Sequence, residues 1–205
     1  MKTVNFICRC FLPGLSVVLL SGCLSFKPTD DPTRYFVLTA AIDVPKTAGQ
    51  AATPKLEVGR VTIPAYLDHY TIAIRKSPHE IQYTEWERWA ERLDRGLERV
   101  VAEDLSRILS TEVGSTSGGK VGGTTLILRI SVEAFEVTDD GTVTLTGTWR
   151  VVSARDGATV KSGTATGTRK GTTLATNPEG AVATMSGAVA DFCGQLAPHL
   201  AEIRQ

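Results

Sequence analysis

The run TLILRISVEAFEV (residues 125–137), followed by TDDG (138–141) and TVTLTGTWRVV (142–152), decides the fold. Leu126, Leu128, Ile130, Val132 and Ala134 fall at every second position, with Arg129, Ser131 and Glu133 between them. A period of two is that of a strand with one buried face. Asp139-Asp140-Gly141 has the composition of a tight hairpin turn. In the return strand Val143, Leu145, Gly147, Trp149 and Val151 alternate with Thr142, Thr144, Thr146 and Thr148. A second turn at Asp156-Gly157 leads into Ala158 to Thr168, mostly Thr, Ser and Gly, which reads as an exposed or edge strand. Three strands in a meander each hide one face, and that face needs an apolar cover.

Two segments supply the cover. In the first, Trp86, Trp89, Leu93, Leu97, Val100, Leu105 and Ile108 recur at steps of three and four, the spacing of an amphipathic helix. Thr84 and Glu87 have capping-box spacing, so the helix is expected to open at Thr84. Glu91–Arg95 and Glu103–Arg107 are placed to pair along it. Its charged face is expected to be solvated, with Trp86 and Trp89 packed on the sheet and Trp86 as part of a partner surface the lesser alternative. In the second, Asn177-Pro178-Glu179 reads as a helix start. Val182, Met185, Val189, Phe192, Leu196, Leu200 and Ile203 form its stripe, and Pro198 is expected to kink or fray its end.

Upstream, Arg34 to Leu38 is aromatic and β-branched and reads as a first strand. Ala41 to Pro54 reads as a flexible connection. Leu56 to Ile63 is a second strand, bulged at Gly59-Arg60 and stopped by Pro64, which has no amide hydrogen. His69 to Arg75 alternates with Tyr70, Ile72 and Ile74 on one face, Ser77-Pro78 turns, and Glu80 to Tyr83 is a short strand. The expected architecture is α+β, a single domain: a mainly antiparallel sheet with two long amphipathic helices packed on it, an α/β sandwich.

The N-terminal segment carries Lys2 and Arg9, an apolar run from Phe11 to Leu20, then Ser21-Gly22-Cys23. That order is an export signal, and the run is shorter than the ~20 residues of a membrane-spanning helix. Leu20-Ser21-Gly22-Cys23 resembles a bacterial lipobox. The resemblance implies removal of residues 1–22, lipidation of Cys23 with acyl chains such as palmitate, and, since Leu24 is not Asp, delivery to the outer membrane. The alternative is an ordinary cleaved leader in which Cys23 is incidental. Residues 23–33, with two prolines, read as a tether, whose ten residues beyond the cysteine reach roughly 33 Å, and residues 34–205 as the domain.

The chain of 205 residues has 22 basic and 22 acidic side chains. Loss of Lys2 and Arg9 leaves it slightly acidic, without the footprint of a nucleic-acid binder. Cys8 and Cys10 leave with the signal and Cys23 takes lipid, so only Cys193 remains, and no internal disulfide forms. It sits among Val189, Phe192 and Leu196 and reads as a buried core thiol. Gly114 to Gly123 imitates P-loop spacing, but Val121 stands where Ser or Thr is required, and the order of flanking elements is reversed. It reads as a flexible loop. His69, His79 and His199 are scattered and read as surface residues. There is no Gly-x-Ser-x-Gly elbow and no metal-like cluster, so no catalytic residue, metal or cofactor is assigned.

Three blocks then carry a family resemblance: Val61-Thr62-Ile63-Pro64-Ala65-Tyr66-Leu67, Trp89-Ala90-Glu91-Arg92-Leu93, and Phe135 with Gly141 to Trp149. They resemble the PqiC (YmbA-type) lipoproteins, auxiliary lipoprotein components of ABC-type transport systems. Arg92 departs from the pattern, where many relatives carry proline. The resemblance implies a non-enzymatic outer-membrane subunit facing the periplasm and supporting envelope integrity. Its implied partners are an MCE-domain (PqiB-like) protein, which builds a lipid conduit, and inner-membrane transporter subunits, with a homo-oligomer matching a ring-shaped partner. A stand-alone envelope scaffold shares the anchor and fold and is the other reading. Pro64, Tyr66, Leu67, Asp68 and Tyr70, aromatic and aliphatic residues in a loop, are the candidate partner-binding segment. Their competing role is to plug one end of the core.

Overall fold

The long alternating run forms strand β6 (Leu126–Thr138), which with β7 (Thr142–Ser153) and β8 (Thr159–Lys170) makes the expected antiparallel meander. The computed structural model describes residues 30–42, 55–116 and 126–203, and the fold is that of the unit beginning at Pro32. The signal segment, Cys23, most of the tether, residues 43–54 of the expected connection and residues 117–123 of the glycine-rich loop lie outside the described residues. Leu128, Ile130 and Val132 face inward, as do Val143, Leu145, Trp149 and Val151. The inward phase changes once. The β6–β7 register shifts between Val132 and Ala134, so Phe135 and Val137 take the inner positions and Ala134, expected among them, is only half-buried. One extra residue in a strand exchanges its two faces. Gly147 lies at this bulge, where a Cβ would come within 2.7 Å of the Ser131 carbonyl oxygen. Gly141 turns the hairpin at φ +79°.

The other edge of β6 is shared. Its first half pairs in parallel with β2 (Leu56–Thr62), whose register shifts between Val58 and Val61 at the expected bulge. Its far end pairs in parallel with β3 (Thr71–Ser77) through Ile74 and Arg75. β4 (Glu80–Trp89) lies antiparallel to β3, and β1 (Arg34–Phe36) closes that side in parallel with β4. β5 (Val113–Ser115) pairs with β2 on the opposite side. The glycine-rich loop therefore starts later than expected. Gly114 and Ser115 belong to an edge strand because the Ser106 hydroxyl accepts the Val113 amide at 3.0 Å and the Thr116 amide donates to the Val58 carbonyl at 3.1 Å.

The first helix also starts later. α1 spans Leu93–Ile108, not from Thr84, and residues 84–89 complete β4. Thr71 pairs with Arg88 and Phe36 with Trp89, so this segment gains ladder partners on both sides that a helix would forfeit. Thr84 and Glu87 do meet, but inside a bulge. The Thr84 hydroxyl donates to the Glu87 carbonyl at 2.6 Å and accepts the Ile72 amide at 3.0 Å, standing in for a missing ladder acceptor. Trp89 is buried, whereas Trp86 is 43% exposed. Glu91 lies outside the helix and pairs with Arg99 at 2.5 Å, not with Arg95; Glu103–Arg107 pairs as expected at 2.5 Å.

The charged face of α1 is not simply solvated. Asp94, Glu98 and Asp104 are all buried. The segment Leu38–Ile42 lies over Asp104, whose Oδ1 accepts the amides of Ala41 and Ile42, each at 3.1 Å. Arg99 and Arg107 donate to the Leu38 and Ile42 carbonyls at 2.9 and 2.7 Å.

α2 (Pro178–Ile203) is capped by Asn177, whose Oδ1 accepts the Gly180 amide at 3.0 Å. It continues through Pro198, past the expected fraying point, with Leu200 buried beyond it. Its stripe and that of α1 meet the inner sheet face in one apolar core. Cys193 is fully buried there, as expected, and burial pushes its thiol well above the usual range.

Candidate docking corner

Pro64, at φ −59° and ψ 150°, directs the chain out of β2 into a 3₁₀ turn, Ala65–Leu67. The turn is closed by the amides of Leu67 and Asp68, donating to the Pro64 and Ala65 carbonyls at 2.9 and 3.1 Å. This short connection carries the chain from the first half of β6 to its far end. The five candidate residues are contiguous here but split into two kinds.

Leu67 is 3% exposed and belongs to the core. Tyr66 packs partly against it, and its phenol donates to the buried Glu136 carboxylate beside the Glu133 carbonyl, 3.3 Å away. Arg75 donates to the same Glu136 oxygen at 2.5 Å, and Tyr83 donates its phenol to the Tyr66 carbonyl at 2.9 Å. Burial, then the hydrogen bond to Glu136, pushes the Tyr66 phenol up to about 12. Tyr66 therefore stays a neutral donor near neutral pH, fitted to hold the turn and not to act as a base or nucleophile. The Glu136 carboxylate holds the Arg75 guanidinium above its ordinary range.

Asp68 and Tyr70 face outward. Asp68 pairs with Arg92 at 3.1 Å, and Arg92 also reaches Asp94 in the first turn of α1 at 3.1 Å. Asp94 first, then Asp68, raises the Arg92 guanidinium. The residue that departs from the family pattern thus ties the corner to the helix start. Tyr70 is 58% exposed, outside the inner face on which the alternation with Ile72 and Ile74 put it; its carbonyl accepts the Trp89 amide at 2.6 Å. Tyr83 and Trp86 of β4 are exposed as well. Glu136, Arg75 and Tyr83 were not picked out by sequence reasoning, and Arg92 was noted only as a departure from the family pattern. Glu136 follows Phe135 in the strand, and only the β6 bulge decides which face it takes.

The histidines do not converge. The His69 ring lies 5.1 Å from that of Tyr83, His79 is exposed in the β3–β4 turn, and His199 stacks on Trp149 at 5.5 Å. Among the described residues no three His, Cys, Asp or Glu side chains group as metal ligands. No helix among them is long and apolar enough to cross a membrane.

The architecture is an α+β fold with an eight-stranded sheet covered by two helices. The chain belongs to the family of ABC-type transport auxiliary lipoprotein components, whose model matches residues 36–197. A crystal structure of a protein described as uncharacterized is similar at a TM-score of 0.64 and 18% identity, with 82% of this chain and 98% of that chain covered. Protein XCC0632 from Xanthomonas campestris is similar at a TM-score of 0.62 and 19% identity, covering 82% and 94%. At these identities the likeness is one of fold. No curated protein matches the sequence.

Proposed function

We propose that the protein is a non-enzymatic outer-membrane lipoprotein that docks an MCE-type, ABC-energised lipid transport system from the periplasmic side. Residues 1–22 are the discarded signal, Cys23 is the lipidated first residue, residues 23–33 are the tether and residues 34–205 the domain. The family match over residues 36–197 carries this reading. Several buried acyl chains at ~0.8 kcal/mol per CH₂ make such an anchor effectively permanent. The outward half of the corner, Asp68 and Tyr70, receives an MCE-domain (PqiB-like) partner, while Pro64, Tyr66 and Leu67 hold it in place. Loops on a rigid scaffold are where such contacts concentrate, and exposed tyrosines make good anchors. A homo-oligomer would present several copies of the corner to a ring-shaped conduit.

The test is a pull-down of the tagged full-length protein from membranes in mild detergent, with mass spectrometry of what co-purifies. Recovery of an MCE-domain protein and inner-membrane transporter subunits, lost in Cys23→Ser, is the expected result. Recovery of outer-membrane assembly proteins alone would favour a stand-alone scaffold.

A further inference from the structure

The outer face of β2, β6, β7 and β8 carries two rows of side chains that run across the strands. Arg129 lies opposite Arg150, and Arg150 opposite Ser162. Arg60 joins this row from the β2 bulge, between Val58 and Val61, whose partners are Leu128 and Ile130. The next row is Thr62, Ser131, Thr148 and Thr164, each paired with its neighbour. Together the rows line a shallow trough of about 530 Å³ towards the end of β6 away from Tyr66.

Three guanidinium groups in a row are an unfavourable arrangement for the fold. Neighbouring strands lie ~4.8 Å apart, and like charges directly opposite destabilise a sheet. Arg60, Arg129 and Arg150 are exposed, and none takes part in an ion pair among the described residues. Glu57, the nearest acid along β2, is buried. The row spans roughly 10 Å, two strand spacings. Guanidinium forks match the oxygens of phosphate in pairs, and the hydroxyl row adds neutral donors beside them.

We propose that this trough binds the phosphate of an anionic phospholipid headgroup. The trough is open, and its guanidinium and hydroxyl groups would hold the charged headgroup of a lipid. Equal numbers of basic and acidic residues in the whole chain make the attraction local to this face. Membership in a lipoprotein family supplies the source, since a lipid-anchored domain works beside a surface of phosphates. The inference concerns a different site from the docking corner and stands without it.

The test is calorimetric titration of the full-length protein in neutral detergent micelles with short-chain phosphatidylglycerol, phosphatidylcholine, pyrophosphate and poly-glutamate. Phosphatidylglycerol is expected to bind at least tenfold more tightly than phosphatidylcholine, and pyrophosphate to compete with it. Arg129→Ser/Arg150→Ser is expected to weaken that binding at least tenfold while the melting temperature holds or rises, because opposed charges are removed. Arg155→Ser, in the β7–β8 turn, is expected to leave it unchanged. Phosphatidylglycerol binding that survives the double substitution overturns the proposal. So does pyrophosphate binding without lipid binding, which would make the ligand a free phosphate. Poly-glutamate binding without lipid binding overturns it in favour of an acidic protein partner.

Discussion

Helix α2 and helix α1 pack on the inner face of the same sheet by different physics. α2 meets β8 through closeness of backbones. A Cβ on Gly167 would lie 1.9 Å from the Ala188 carbonyl oxygen and 2.7 Å from the Phe192 amide nitrogen. The facing residues Ala181, Ala188, Val189 and Phe192 are completely buried, and the charged pair Arg169–Asp191, bonded at 2.8 and 2.9 Å, lies at the rim. α1 buries three acids instead, and each has polar work to do. Asp94 holds Arg92, Glu98 accepts the Thr116 hydroxyl at 2.6 Å, and Asp104 holds the amides of Ala41 and Ile42. A steric contact of this kind tolerates no added atom. A polar clamp tolerates an isosteric exchange but responds to pH.

The largest effect that sharpens this contrast is expected at Gly167→Val. The side chain has no room, and α2 must move off β8. A loss of about 3 kcal/mol or more is expected in urea denaturation. A change below about 1 kcal/mol would show that the helix is not pressed against the strand.

Asp104→Ala comes next, with an expected loss of about 2 kcal/mol, because two amides lose their acceptor. Asp104→Asn keeps an acceptor and is expected to be far milder. The native carboxyl responds to pH. Burial outweighs the hydrogen bonds from Ile42 and Ala41 and raises it from 3.8 to about 6. Between these values the folded state holds a proton that the unfolded state has released. The stabilisation is therefore fully present below about pH 4 and is lost as pH rises through about 6. Melts taken from pH 7 down to pH 5 are expected to gain about 1–2 kcal/mol, a gain that Asp104→Asn removes. No such dependence is expected from the close approach of Gly167 to Ala188 and Phe192, where no side chain titrates.

Tyr66→Phe is smaller, at about 1 kcal/mol, because Glu136 keeps its bond to Arg75 when the phenol is lost. An unchanged melt would mean that the corner is held by Leu67 and the 3₁₀ turn alone.

The β6–β7–β8 meander could be read from the chain because its pattern is local: alternation over many residues, and Asp-Gly turns that demand positive φ, as at Gly141 and Gly157. The β4–α1 boundary could not. Trp86, Trp89, Leu93 and Leu97 have helical spacing, and Thr84 and Glu87 imitate a cap. Pairing with β1 and β3 overrode both, and a window along the sequence does not contain that pairing. The buried acids of α1 were hidden for the same reason, since their amide partners come from Leu38–Ile42. In the corner, proline, aromatic and aliphatic residues marked a loop correctly. Which of them faced the core depended on the passage from β2 to β3 along β6, so the sequence could not separate Leu67 from Tyr70.

One half of the corner builds the fold, and the other half, Asp68 and Tyr70, is exposed and is the half proposed to dock. The most direct test compares wild type with Asp68→Ala/Tyr70→Ala in full-length protein purified from membranes. It follows the retained MCE-domain partner and the melting temperature together. The account predicts a melt within a few degrees of wild type, since both side chains are surface-exposed, with partner retention reduced at least tenfold. Full retention by the folded double variant would contradict it and return the whole corner to a structural role.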